Sequence, residues 1–249
     1  YSGNLNSQLV DKMAVFGKYY RNFLIEAGNY SPGNVIITGQ PRTDIFFESV
    51  LKYSKIGLCK RLRIDSRKKL IVFATQPLRD LSESEICIKA IIDSIRDLND
   101  VELVIKLHPN DDYGLYKQIL RDSGYKAIIT QDADLYELIY CSDIVIGMYS
   151  SVLLESIFIG KPAIQINLFE KHSIFGDYDK KVAFQAANKK EIARAVRMLL
   201  YDRKLSSIMK KNRDKFILEY YYKIDGKCTS RFLEIFEKIT ENRKLKNKL

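Results

Sequence analysis

The chain has 249 residues, 46% of them hydrophobic, enough for one large core or two modest ones, which argues against a mostly disordered protein. No window of about 18 residues is uninterruptedly apolar, and the start, "YSGNLNSQLVDK", lacks the basic-then-apolar layout of a signal peptide, so a cytoplasmic chain is expected. The net charge of +10 is concentrated at one end: residues 201–249 hold 14 Lys and Arg against 7 Asp and Glu. Such an excess reads as a solvated helix face or as peripheral contact with an anionic membrane surface or acidic partner. No nucleic-acid-binding motif accompanies it. Four widely spaced cysteines without a CxxC, and only two histidines, argue against a disulfide framework or a zinc site. Cys87 and Cys141 fall in apolar patterns and read as buried thiols. Because the chain starts at Tyr1 rather than at a methionine, a processed chain or a piece of a longer one is expected.

In chain order, "DKMAVFG" (11–17) reads as a strand, "KYYRNFLIEAG" (18–28) as a helix ended by glycine, and "NVIITGQPRTD" (34–44) as a strand running into a Gly/Pro turn. Residues 46–69 read as a helix followed by a basic connector. From Lys69 the pattern changes. Six short β-rich segments follow: "KLIVFAT" (69–75), "VELVIKL" (101–107), "KAIIT" (126–130), "DIVIGM" (143–148), "PAIQINL" (162–168) and "VAFQAA" (182–187). Helical patterns separate most of them, and parallel strands need such crossovers, so the spacing predicts a doubly wound, mostly parallel six-stranded α/β sheet. Ser82 with Glu85, Asp134 with Glu137, and Asn188 with Glu191 each resemble a helix cap answered three residues later by an acid. Behind two of these caps run apolar stripes: Cys87, Ile91, Ile95 and Leu98, and then Ile192, Ala195, Val196, Leu199 and Leu200. The end of the chain, 205–222 and 230–241, reads as two helices.

The expected organisation is a remnant of a preceding domain at 1–30, a linker at 31–68, the main sheet domain at 69–222, and a helix with a basic tail at 223–249. In an open parallel sheet ligands bind beyond the C-terminal strand ends. Those ends carry "TQP" (75–77), "KLHPND" (106–111), "TQDAD" (130–134) and "GMYSS" (147–151). Tyr149, Ser150 and Ser151 are expected to form the first turn of a helix through Ile159, whose N-terminus favours a phosphate or simply carries a serine cap. Glu155, one turn further in and flanked by apolar residues, reads either as a ribose ligand or as an acid that complements the helix dipole. His108, held at the strand mouth by Pro109, can donate to a phosphate oxygen or act as an acid, and Lys106 points to the same side. Arg42, in the "GQPRTD" turn, reads as a phosphate ligand or as turn chemistry, and His172 as a weaker candidate.

The segments "TGQPRTD", "FATQP", "KLHPND", "SDIVIGMYSSVLLESIFIGKPAI" and "DGKCTSRFLEIF" together resemble the C-terminal, donor-binding domain of GT-B-fold enzymes. The resemblance is to surface-polysaccharide glycosyltransferases, CDP-glycerol glycerophosphotransferases and the UDP-N-acetylglucosamine 2-epimerase-like group. It implies that Gln76-Pro77 and His108-Pro109 face nucleotide phosphates, that Ser150 and Ser151 bind phosphate, and that Glu155 binds ribose. It also places Gln131 to Leu135 in the loop that often touches the base. The implied activity is transfer from a UDP-, CMP- or CDP-activated donor to a glycan or lipid-linked acceptor, with His108 as the catalytic residue and no metal or other cofactor. A nucleotide-binding module without activity is the alternative that a missing N-terminal half suggests.

Overall fold

Parallel strands require a crossover between them, and the N-terminal stretch already obeys this rule. In the computed structural model, which describes residues 10–49, 52–76, 81–169 and 182–246, β1 (Met13–Val15) and β2 (Val35–Ile37) pair in parallel across α1 (Lys18–Glu26). Val15, Tyr30 and Val35 are buried there, with Tyr20, Leu24 and Ile25 of α1 packed on them. A 3-10 turn at Pro41–Thr43 leads into α2 (Asp44–Ser49). The chain divides into a smaller unit, Tyr1–Leu51 with Asp214–Leu249, and a larger one, Lys52–Arg213.

The larger unit starts with α3 (Lys55–Leu62), whose N-terminus is capped by the Ser54 side chain and whose C-terminus stops at Arg63 in the left-handed conformation. The region expected to hold one helix and a connector therefore holds two helices, α2 and α3. Then come β3 (Lys69–Ala74), α4 (Leu81–Ile95), β4 (Val101–Lys106), α5 (Tyr113–Ser123), β5 (Ile128–Thr130) and α6 (Leu135–Cys141). β6 (Ile144–Gly147), α7 (Val152–Ile159), β7 (Ala163–Ile166), β8 (Phe184–Ala186) and α8 (Lys189–Tyr201) complete the sheet and its cover. All six strands run parallel, in the order β5-β4-β3-β6-β7-β8.

The alternation of side chains divides the core between the two faces of this sheet. On β3, Ile71 and Phe73 join one core with Ile91 of α4, Tyr116 of α5 and Ile192 of α8, while Leu70 and Val72 join the other with Leu58 of α3 and Leu138 of α6. Both faces are covered, which is why these strands read as continuous apolar runs rather than as alternation. The apolar stripes are buried as expected except for Leu98 and Leu200, which pack half-buried against the core, and all four cysteines are buried outside any disulfide. Two of the three expected caps form: Asp134 accepts from Glu137 N at 2.8 Å, and Asn188 accepts from Glu191 N at 3.0 Å while its amide donates to the Glu191 carboxylate. Ser82 is not a cap. It lies inside α4, whose helical hydrogen bonding is already under way at Leu81, and Glu85 pairs instead with Lys89 one turn on.

α9 (Arg203–Tyr220) contains the division between the units, and α10 (Cys228–Lys246) belongs to the smaller one. Two of the sequence motifs meet within that smaller unit. Asp44, from "TGQPRTD", accepts from the backbone N–H groups of Cys228 at 3.0 Å and Thr229 at 2.8 Å, so it caps α10 from another helix. Arg231, from "DGKCTSRFLEIF", donates to the Thr38 carbonyl at 2.8 Å and pairs with Asp225. Gly39 is required between them. Its φ is +83°, and a Cβ there would stand 2.6 Å from Cys228 Sγ.

Burial alone would raise the Asp44 pKa, but the two N–H donors outweigh it and hold the carboxyl below its usual range. A depressed carboxylate contributes stability above its unfolded pKa of about 3.9, lost as pH falls through the folded value. Asp44→Asn should therefore cost about 1 kcal/mol at neutral pH. In urea titrations the gap between wild type and variant should close as pH is lowered from about 5 to about 2.

Candidate functional site at the strand mouths

The strand that follows β3 in the sheet lies on one side of it, and β6 lies on the other. Successive crossovers therefore diverge at β3 and β6, and a crevice opens beyond their C-terminal ends. Gln76, just past β3, accepts from the backbone N–H of Tyr149, past β6, at 2.9 Å. One side-chain amide thus joins the two lips of the crevice. The Tyr149 hydroxyl in turn donates to Asn167 Oδ1 beyond β7 at 2.6 Å.

β4 brings His108 to the same end. Its backbone N–H is shared between Thr75 Oγ1 at 2.8 Å and Asp111 Oδ2 at 3.0 Å, and the Thr75 hydroxyl donates to the same Asp111 carboxylate. The Asn110 N–H donates to His108 Nδ1 at 3.2 Å, and the Asp111 N–H to the His108 carbonyl at 3.0 Å. An accepting Nδ1 carries no proton, so the neutral ring carries its proton on Nε2, which is left as the donor. The turn is braced from below: the Gln131 amide nitrogen lies 3.0 Å from the carbonyls of His108 and Pro109 and 3.3 Å from that of Asp111. Lys106 donates to the Gln131 carbonyl at 2.5 Å, and burial pushes its ammonium below the usual lysine range, with Asp132 and Asp134 opposing.

On the β6 side the helix begins later than expected. α7 starts at Val152, with Ser151 at its N-cap position, so Tyr149 and Ser150 precede it. Two contacts accompany this: the Tyr149 N–H is turned to Gln76 across the crevice, and the Ser150 hydroxyl accepts from Val152 N at 3.3 Å. Ser151 is exposed and makes no side-chain cap, so its hydroxyl faces solvent at a helix N-terminus. Glu155 is 4% exposed, with the buried Ser156 beside it, so this carboxylate lies buried among apolar neighbours.

Gln76, His108, Tyr149, Ser150 and Ser151 thus gather at adjoining strand ends, with Pro109 exposed beside them and Lys106 and Gln131 under the His108 turn. Leu135 is the first residue of α6. Arg42 is exposed in the 3-10 turn of the smaller unit. Pro77 and His172 lie outside the described residues. Sequence reasoning missed Thr75 and Asp111 as organisers of the His108 turn. Their signal was present, a polar residue at the end of an apolar strand and an acid three residues after the histidine, but the bond between them spans 36 residues. "NDD", the nearest candidate for an acidic metal site, serves the backbone instead: Asp111 holds the turn and Asp112 caps α5 through Gly114 N at 2.7 Å. Among the described residues no group of three or more His, Cys, Asp or Glu is placed to hold a metal ion.

A doubly wound parallel sheet with its polar turns gathered at the switch point defines the class: an α/β domain of GT-B-like fold. The model of the family described as CDP-Glycerol:Poly(glycerophosphate) glycerophosphotransferase matches residues 2–238, and the chain belongs to that family. Of the groups that the sequence resembles, the match thus falls on the glycerophosphotransferases. The chain is 24% identical over 247 residues to a teichoic acid poly(ribitol-phosphate) polymerase of Bacillus spizizenii, covering 92% of this chain and 38% of that protein. The fold matches the wall teichoic acid polymerase TagF, with a TM-score of 0.60 at 18% identity over 94% of this chain and 58% of the other. It also matches a putative UDP-N-acetylglucosamine 2-epimerase from Listeria monocytogenes, with a TM-score of 0.70 at 18% identity over 94% of this chain and 61% of the other. The chain therefore spans well under half the length of the curated relative it matches.

Gln131 offers a test of the brace. Gln131→Ala leaves the Pro109 and Asp111 carbonyls without this donor and the His108 carbonyl with the Asp111 N–H alone, and should cost about 1–2 kcal/mol. Amide exchange should accelerate selectively at 108–111, where the turn loses its support, and remain unchanged in β3.

Proposed function

We propose that the larger unit binds the nucleotide-activated donor of a polymer-building transferase, and that the donor is a CDP-linked polyol phosphate such as CDP-glycerol. The observation that carries this reading is the gathering of His108, Gln76 and the Ser150–Ser151 turn at the β3/β6 switch point, in a chain of the glycerophosphotransferase family. In the reaction an acceptor hydroxyl oxygen attacks the phosphorus that bears the polyol. A new P–O bond forms, the bond to the CMP oxygen breaks, its electron pair leaves with CMP, and the hydroxyl proton passes to a base. The charge that grows on the leaving phosphate needs hydrogen-bond donors that are already in place. His108 Nε2–H and the α7 N-terminus with Ser151 supply them, and Thr75, Asp111 and Gln131 hold the histidine so that no reorganisation is needed. Glu155 is the ribose acceptor in this reading, and its 4% exposure means that the nucleotide must open a way to it.

Gln131 to Leu135 border the base in the same reading, and Lys106 contributes positive potential to the mouth without touching the phosphates. In the same reading residues 1–30 belong to an N-terminal GT-B domain, and Arg42 lies in the linker that follows. The basic α10, with Phe232, Leu233 and Phe236 exposed, meets an anionic membrane surface peripherally. Among the described residues no helix is long and apolar enough to cross a membrane.

Titration calorimetry with CDP-glycerol, CMP, UDP and GDP should show the cytidine ligands binding, and CDP-glycerol more tightly than CMP. No binding of any nucleotide at millimolar concentration would overturn the reading, and a preference for UDP would move the donor to a nucleotide sugar. His108→Ala should lower CMP release from CDP-glycerol by about 100-fold or more, measured with the polymer acceptor. Ser151→Ala should weaken CMP binding by about threefold to tenfold. If Glu155→Gln leaves CMP affinity unchanged while Ser151→Ala weakens it, the ribose role falls and the phosphate role stands.

A further inference from the structure

The opposite end of the larger unit carries a second concave site that the transfer reaction does not use. Gly160 closes α7, Pro162 and Val182 lie just ahead of β7 and β8, and the first turns of α9 pass over these strand starts. Between them lies a cavity of about 460 Å³, within the range of small-molecule sites. Arg203, Lys210 and Arg213 reach it from one face of α9, being seven and then three residues apart, and Lys161 reaches it from the loop before β7. Ser206 and Ser207 stand on the same face. Among the described residues no Asp or Glu lines it.

Arg213 and Lys161 are anchored, while Arg203 and Lys210 are exposed at the rim. Arg213 Nη1 donates to the Gly160 carbonyl at 2.9 Å, which ties α9 to the end of α7. Lys161 is half-buried, with its ammonium 5.4 Å above the Tyr140 ring. The acid that faces it, Asp143, is already engaged by Lys55 at 2.9 Å and by the Leu70 N–H at 2.7 Å. Burial lowers the Lys161 pKa, Asp143 opposes this, and the Lys55 cation adds to the lowering. Arg203, Lys210 and Arg213 give the α9 side of the cavity one sign of charge, which favours an anion there. The remaining wall, Ile157, Pro162, Val182, Leu199 and Met209, is apolar and offers nothing to a second charged group.

We infer that this cavity is a separate anion site for a phosphate ester: its phosphate lies among Arg203, Lys210, Arg213 and the serine hydroxyls, and its uncharged organic part rests on the apolar wall. The same chemistry is presented by a soluble phosphate ester and by the headgroup of an anionic phospholipid. The inference stands independently of the nucleotide reading, because it uses none of the residues at the strand mouths.

The experiment uses the whole chain. Binding of sn-glycerol 3-phosphate and pyrophosphate is read by calorimetry, and binding to phosphatidylglycerol vesicles, against phosphatidylcholine, by sedimentation. Wild type should bind in at least one arm: sn-glycerol 3-phosphate binding that is lost in Arg203→Glu with Lys210→Glu identifies a free phosphate ester, and vesicle binding lost in that variant, beyond what α10 supplies, a lipid headgroup. Arg203→Glu with Lys210→Glu should weaken that binding by about tenfold or more. Lys210→Arg should retain it. Lys117→Glu with Lys126→Glu changes the net charge equally at another surface and should leave the affinity within about twofold. Unchanged CMP affinity and an unchanged melting temperature verify that the double variant is folded. The inference is overturned if no probe binds at millimolar concentration, or if the two double charge reversals weaken binding equally. A wild type that fails to bind CMP but binds these probes sinks the nucleotide reading and leaves this one standing.

Discussion

The divergence of the chain at β3 is the constraint on which the larger unit depends. A parallel strand can be followed by its neighbour only through a right-handed crossover, so successive strands placed on one side of β3 put their helices on one face. When the chain returns to place β6 on the other side of β3, the helices change face. The strand order β5-β4-β3-β6-β7-β8 is the result, and the crevice between the β3 and β6 ends is left uncovered by either set of helices. Everything assigned to donor binding stands around that gap. The Gln76–Tyr149 hydrogen bond is what fixes its width.

The chemistry of the site follows from how its backbone groups are satisfied. A turn of Pro and Asn after a buried strand exposes N–H and carbonyl groups that need partners. Thr75 and Asp111 take the His108 N–H, and Gln131 takes the carbonyls, so the imidazole is presented by a turn with little freedom. Three polar side chains are in this way committed to holding the histidine turn. The acids of "NDD" are explained on the same terms, as a turn brace and a helix cap. The two ends of the sheet also differ in kind. The mouths carry mostly neutral donors around a single histidine, with Lys106 beneath them, whereas the cavity by α9 is lined by four basic residues.

Most of the fold was legible. All six strand segments of the larger unit form, because strands buried on both faces need long apolar runs, and such runs survive as a pattern in the sequence. Helix caps at Asp134 and Asn188 were legible for a similar reason, since cap and partner are three residues apart. Ser82 misled because the same short pattern also occurs inside a helix, where nothing local marks the difference. The late start of α7 was hidden because a contact that accompanies it comes from Gln76, 73 residues before the backbone group it binds. The division of 44–62 into two helices rests in turn on a Ser54 cap that a basic, weakly patterned stretch did not advertise.

The sequence by itself determined the sheet, its parallel sense and the set of polar turns at the strand ends, because these follow from periodicity and from residues close together in the chain. The tertiary structure decided which of those polar residues gather at the crevice and which are spent on one another. It joined Thr75 to Asp111, Gln131 to the His108 turn, and Asp44 to the start of α10. It also brought Lys161 beside Arg203, Lys210 and Arg213. The reason is physical: a hydrogen bond or a shared field depends on distance in space, and only the packed sheet sets the distance between residues far apart in the chain.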